Sequence, residues 1–137
     1  MGELIKVNVI AGVAIKQDGR YLLVQEYGPG DPSHGLWGFP SGRVEEGETI
    51  EAAAIREAKE ESGYEVKIIR KLGIFQVLAE KPVMHIFAAK ISGGELRWPQ
   101  EEISQARWLT PAEVREMKDQ LRNVAILEAV EIAERGN

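Results

Sequence analysis

The stretch from Thr49 to Gly63, Thr-Ile-Glu-Ala-Ala-Ala-Ile-Arg-Glu-Ala-Lys-Glu-Glu-Ser-Gly, constrains the fold most. Alanine, glutamate and lysine favour helix, Thr49 can cap its start, and Gly63 can take the left-handed conformation that stops it. The helix so predicted carries Glu57, Glu60 and Glu61 at i, i+3 and i+4, within an arc of about 100°. Ala52, Ile55 and Ala58 fall roughly opposite, so that face would pack on a sheet while the acids look into a cleft. Three carboxylates converging there repel one another, unless a cation such as Mg²⁺ or Mn²⁺ takes their oxygens. A solvated acidic face, partly neutralised by Arg56 and Lys59, accounts for the same spacing.

Strand patterns flank this helix. Leu4 to Lys16 and Tyr21 to Tyr27 are rich in β-branched and aromatic residues about Gln17-Asp18-Gly19-Arg20, which predicts a hairpin on an Asp-Gly turn. Gly28 to Gly35 is a polar, turn-forming loop leading into Leu36 to Pro40. Glu65 to Ala79 and Val83 to Ile91, separated by Glu80-Lys81-Pro82, predict a second antiparallel pair that Ser92-Gly93-Gly94 ends with a turn. A short strand follows over Ala106 to Leu109. Thr110-Pro111-Ala112-Glu113 is a capping box with proline at the first helical position. The last helix runs from Asn123 to Arg135, with Val124, Leu127, Val130 and Ile126 as candidates for its inward face, and Gly136 stops it. This order of elements predicts one α/β domain over residues 1–137, a mixed sheet sandwiched between helices.

Composition narrows the function classes. Seventeen basic against twenty-two acidic residues give a net charge of −5, which disfavours nucleic acid and anionic membranes and requires a cation beside any anionic ligand. The absence of cysteine excludes a disulfide framework and a thiolate site, and fits a cytoplasmic location. No apolar run near Met1 suggests a leader or a membrane span. Leu4-Ile5-Lys6-Val7 or the C-terminal helix could form a homodimer face, or either could finish the monomer's core.

A longer pattern surrounds the acid cluster: Gly42, five residues, Glu48, seven residues, then Arg56-Glu57-Ala58-Lys59-Glu60-Glu61-Ser62-Gly63-Tyr64. This resembles the Nudix box. A looser similarity extends from the first hairpin through Leu36-Trp37-Gly38-Phe39-Pro40 to Ala106-Arg107-Trp108 and the helix beyond. Ser41 stands where the family often has another glycine, and Ala58 and Tyr64 replace more usual aliphatic residues.

The resemblance implies a Nudix-like fold and metal-dependent hydrolysis of a phosphoanhydride bond. By similarity, Glu57, Glu60 and Glu61 hold Mg²⁺ or Mn²⁺, with the Ser41 carbonyl as a further oxygen. Arg56 would fix a carboxylate such as Glu48 or Glu60. Gly42, Glu48 and Gly63 would be structural, and Gly47 would ease the loop before the helix. The general base would be Glu60 or, from a separate loop, Glu102. Tyr27, Trp37, Phe39 and Phe75 are candidates to stack on a nucleobase, although each also suits a core. His34 could meet phosphate or solvent, and His85 reads as structural.

The substrate implied is a small nucleotide derivative, first a nucleoside di- or triphosphate. ADP-ribose hydrolases usually carry a proline near where this chain has Leu78, and Pro82 lies a few positions late. Dinucleoside polyphosphate hydrolases tend to carry a tyrosine thereabouts, and none follows Tyr64. Both remain alternatives, as does a Nudix-fold module that binds nucleotide without cleaving it. A decapping role on nucleic acid is disfavoured by charge.

Overall fold

A computed structural model describes residues 9–76 and 82–136. The expectations for Leu4 to Val7 and for the positions around Leu78 lie outside these residues. Strands β1 (Val9–Gln17) and β2 (Arg20–Glu26) form the hairpin, and Asp18 and Gly19 supply the positive φ angles, 53° and 78°, that a two-residue turn needs. Then come β3 (Trp37–Gly38), β4 (Ser41–Arg43), α1 (Ile50–Ser62), β5 (Tyr64–Phe75), β6 (Val83–Gly94) and β7 (Ile103–Leu109). Helix α2 (Pro111–Glu116), a 3₁₀ turn at Lys118–Gln120 and α3 (Ala125–Arg135) complete the chain.

The sheet runs β3-β2-β1-β6-β5, with β4 added beside β1 and β7 beside β2. Among the described strand pairs only β1–β6 is parallel. One edge of β1 is paired with β6 from Val9 to Ile15. Its other edge is shared: β4 takes Ile10 to Gly12, the Pro40 carbonyl accepts from the Val13 amide at 3.0 Å, and β2 joins only at Lys16 and Gln17. The sheet therefore splits beside β1, and the turn from Trp37 to Ser41 sits in the opening.

Alternation along the strands fills two layers. Ala11, Val13 and Ile15 of β1, Leu22 of β2 and Phe87 and Ala89 of β6 face α1. Ala14, Tyr21, Leu23, Met84 and Ile86 face α2 and α3. Helix α1 packs through Ala53, Ala54 and Ala58, whereas Ala52 is exposed and Ile55 is 41% exposed, which corrects the predicted inward face by about one residue. On α3 the buried residues are Ala125, Ile126, Ala129 and Val130, while Val124 precedes the helix and is 59% exposed. Burying that stripe on its own sheet makes α3 part of the monomer's core. No helix among the described residues is long and apolar enough to cross a membrane.

The helix caps follow local chemistry. The Thr49 hydroxyl accepts from the Ala52 amide, and Thr110 and Glu113 form the reciprocal capping box. Gly63 closes α1 at φ 81°, its amide bonding to the Lys59 carbonyl. Strand β6 runs on through Ser92-Gly93-Gly94, where a turn was predicted, because Gly94 pairs with Tyr64. The two glycine backbones meet there, and a Cβ on Gly63 would collide with the Glu95 carbonyl oxygen. Gly63→Ala is thus expected to cost more than the ~1–2 kcal/mol of left-handed strain alone, and Gly63→Asn to rescue little of it. Urea unfolding checks this; a loss below about 1 kcal/mol in both variants would contradict the close approach.

Candidate active site

The site grows from the contact between α1 and β4. Gly42 presents bare backbone to the helix, and a Cβ placed there would overlap the Glu57 carboxylate. Glu57 therefore lies against β4, 8% exposed. One turn later Glu61, also 8% exposed, accepts the Ser41 amide on Oε1 at 3.0 Å. Among the described residues that amide is the only hydrogen-bond donor to Glu61. Glu60 points to the rim, its side chain 55% exposed.

The three acids share one side of the helix but do not converge as predicted. Among the described residues no three carboxylate or imidazole groups stand close enough to hold one ion. Arg56 links two of them. Its Nη1 donates to Glu57 at 2.9 Å and to Glu60 at 3.2 Å, while Nε and Nη2 fork onto Glu48 at 2.6 and 3.0 Å. Nη2 also donates to the Arg43 carbonyl at 3.0 Å, so the guanidinium ties the loop before α1, strand β4 and the acid face together. Glu57 is drawn toward the guanidinium and Glu61 toward β4.

Electrostatics follow from burial. Desolvation pushes the Glu61 carboxyl up to about 8; the Ser41 amide and the Arg122 cation pull it down, while Glu26 and Glu57 push it further up. Desolvation also raises Glu57, against the pull of Arg56, and the charges of Glu60 and Glu102 add to the rise. Glu48 moves the other way, to about 2, held by the Arg56 fork and the Glu45 amide. An all-oxygen donor set suits a hard divalent cation, and buried carboxylates whose ionisation is opposed gain most from one. In donor chemistry, though not in their present spacing, Glu57, Glu60, Glu61 and the Ser41 carbonyl suit such an ion.

A second arginine escapes sequence reasoning. Arg122, in the segment before α3, donates to Glu26 at 2.7 Å, to the Ser41 hydroxyl at 2.8 Å and to the Phe39 carbonyl at 3.3 Å. It crosses Gly38 so closely that a Cβ there would lie 2.8 Å from Nε. Arg122 thus braces the turn that delivers Ser41, and brings Glu26 near Glu61. A glycine between Trp37 and Phe39 is the one sequence sign of this close approach.

The remaining candidates separate. Glu102 makes no direct contact with the acid cluster among the described residues: its carbonyl accepts the Tyr27 amide at 2.8 Å, and its charge is the weakest of the influences named on Glu57. Trp37 and Phe39 are 3% and 0% exposed, packed in the core beneath α2 and α3, so a ligand has no open ring face there. Tyr27 is 44% exposed and meets the His34 ring edge-on, while Phe75 is partly buried against the core. His34 accepts the Gly28 amide on Nδ1, closing its loop. His85 is buried in β6 on the α1 side of the sheet, its Nδ1 without a partner.

Comparison with known proteins identifies the family. A family model described as the NUDIX domain matches residues 6–129. "Putative nudix hydrolase 1" of Caenorhabditis elegans is 36% identical over 132 residues, 93% of this chain but 35% of that protein. A "MutT-like protein" of Streptomyces ambofaciens is 32% identical over 122 residues, 89% of this chain and 75% of that protein. Among solved structures, a NUDIX hydrolase from Nitrosomonas europaea matches with a TM-score of 0.83 at 26% identity, covering 96% of this chain and 90% of that one. Relatives named as a putative 8-oxo-dGTP diphosphatase, an NAD-capped RNA hydrolase and an ADP-ribose pyrophosphatase match at 37%, 36% and 36% identity.

The Arg56–Glu48 fork generates a pH prediction. A carboxyl depressed in the folded chain contributes stability above its unfolded pKa, and that stability is lost as pH falls toward the folded value. Wild type should therefore lose stability more steeply than Glu48→Gln between about pH 5 and about pH 2, the two converging at the acid end. Thermal unfolding across that range checks it, and parallel curves would contradict the fork.

Proposed function

The chain belongs to the NUDIX family of hydrolases, and from that premise we propose that it cleaves a phosphoanhydride bond in a nucleoside di- or triphosphate. The observation that carries this reading is the tether of Arg56 to Glu48, Glu57 and Glu60 on a helix whose Glu61 is pinned to Ser41. A module that only binds nucleotide has no use for buried carboxylates whose ionisation is opposed.

In this reading Glu57, Glu60, Glu61 and the Ser41 carbonyl hold Mg²⁺ or Mn²⁺. A divalent cation bound there supplies charge neutralisation for the diphosphate and activation of the attacking water. The chain's residues do the rest. Arg56 keeps Glu48 and the β4 backbone in place while its Nη1 contacts exchange, and Arg122 holds Ser41 through its hydroxyl. Water forms a new P–O bond, the bridging P–O bond breaks, and the water's proton passes to a carboxylate. Glu60 at the exposed rim is the first candidate for that base, and Glu102, close enough to act on Glu57, is the second.

Phosphate or nucleotide release across deoxynucleoside triphosphates, nucleoside diphosphates, ADP-ribose, diadenosine polyphosphates and nucleotide sugars, with and without Mg²⁺, tests this. Turnover of the first two classes, abolished by a chelator, is the expected result. Turnover of ADP-ribose or diadenosine compounds alone would move the substrate class. Saturable nucleotide binding with no turnover would replace the hydrolytic reading with a binding module. Glu61→Gln, nearly isosteric, should keep the fold and lower the rate on the order of 100-fold or more, and retained activity would overturn its assignment.

A further inference from the structure

A slot of about 450 Å³ opens at the C-terminal end of α1, beside the acid face. Its floor is backbone. Gly63 and Gly94 both sit at positive φ, 81° and 80°, and a Cβ on either would strike main-chain atoms of the other strand connection. One wall is Lys59 and Glu60 from the last turn of the helix, and the other is Arg97, Trp98 and Pro99. The Arg97 amide donates to the Ser62 carbonyl at 2.9 Å, which fixes this second wall to the helix end.

Two of the lining groups have no internal use. Among the described residues the Arg97 guanidinium makes no ion pair, and neither the Trp98 indole nitrogen nor its ring has a hydrogen-bond or aromatic partner. Trp98 is half-buried and lines the slot. The charges do not make an anion trap. Lys59 is engaged by Glu65 at 3.3 Å, and Glu60 and Glu95 add negative charge to the lining. A free phosphate gains little in such a place, whereas a neutral planar group gains a stacking face.

We propose that this slot receives the nucleobase attached to the diphosphate, with Trp98 as its stacking platform. Glu60 is shared by the slot and the acid face, so a substrate lying across it places its diphosphate over the carboxylates and its base against the indole. This rests on the hydrolytic reading above and names where that substrate's base is read. Trp98 is then a specificity residue. It bears on affinity for nucleotides and leaves recognition of the diphosphate untouched.

Calorimetric titration of the whole chain with ADP and with inorganic pyrophosphate, each as its non-hydrolysable methylene analogue and both in Mg²⁺, separates the two claims. Trp98→Ala should weaken ADP binding about tenfold, Trp98→Phe should restore most of it, and pyrophosphate should bind all three proteins alike. Equal ADP affinity in wild type and Trp98→Ala would overturn the slot assignment while leaving the diphosphate site standing. An equal loss of both ligands in Trp98→Ala, unrescued by Trp98→Phe, would also overturn it, because the residue would then act on the diphosphate site or the fold. Failure of wild type to bind pyrophosphate with Mg²⁺ would sink the hydrolytic reading and this inference with it.

Discussion

The close apposition of α1 to β4 is the constraint from which the rest follows. Gly42 lacks the atom that would otherwise hold the helix away, and small alanines on the neighbouring helix face let it settle onto β1. Two carboxylates are thereby pressed against a strand backbone, where burial opposes their ionisation. Arg56 compensates from the side. Its guanidinium collects Glu48, Glu57, Glu60 and a main-chain carbonyl, a set that only a planar, multi-donor group can satisfy at once. A lysine there would supply the charge without the fork.

Sequence reading captured the elements whose signals are local. The bounds of α1 came from Thr49 and Gly63, the hairpin from Asp18-Gly19, and the start of α2 from its capping box, all decided within a few residues. The inward face of α1 was displaced because the acids were assumed to point away from the sheet. Glu57 and Glu61 instead turn toward β4, and Ala53 rather than Ile55 takes the packed position. The predicted convergence of three carboxylates left out the contacts they already make, Arg56 bridging Glu57 and Glu60 and the Ser41 amide holding Glu61.

What the sequence could not reveal depends on distant partners. Arg122 meets Glu26, Phe39 and Ser41, which are 81 to 96 positions away in the chain. No spacing rule links such residues. Trp37 and Phe39 suited either a ligand-stacking or a core role from sequence, and the structure makes them core, their turn inserted into the split beside β1 and capped by that arginine. Nothing local marks Trp98, whose loop has no motif of its own. Its relevance comes from the folding of the Gly63 and Gly94 backbones against each other, which sets the loop beside the helix end.

The account turns on whether these oxygens take up a divalent cation in place of the arginine's contacts. Titration with Mn²⁺, following the free aqua ion by electron paramagnetic resonance, reads that uptake without turnover. Saturable binding in the wild-type chain, lost in a Glu57→Gln, Glu61→Gln double variant that keeps its helical circular dichroism, is the predicted result. Absence of uptake, or equal uptake by the double variant, would contradict it.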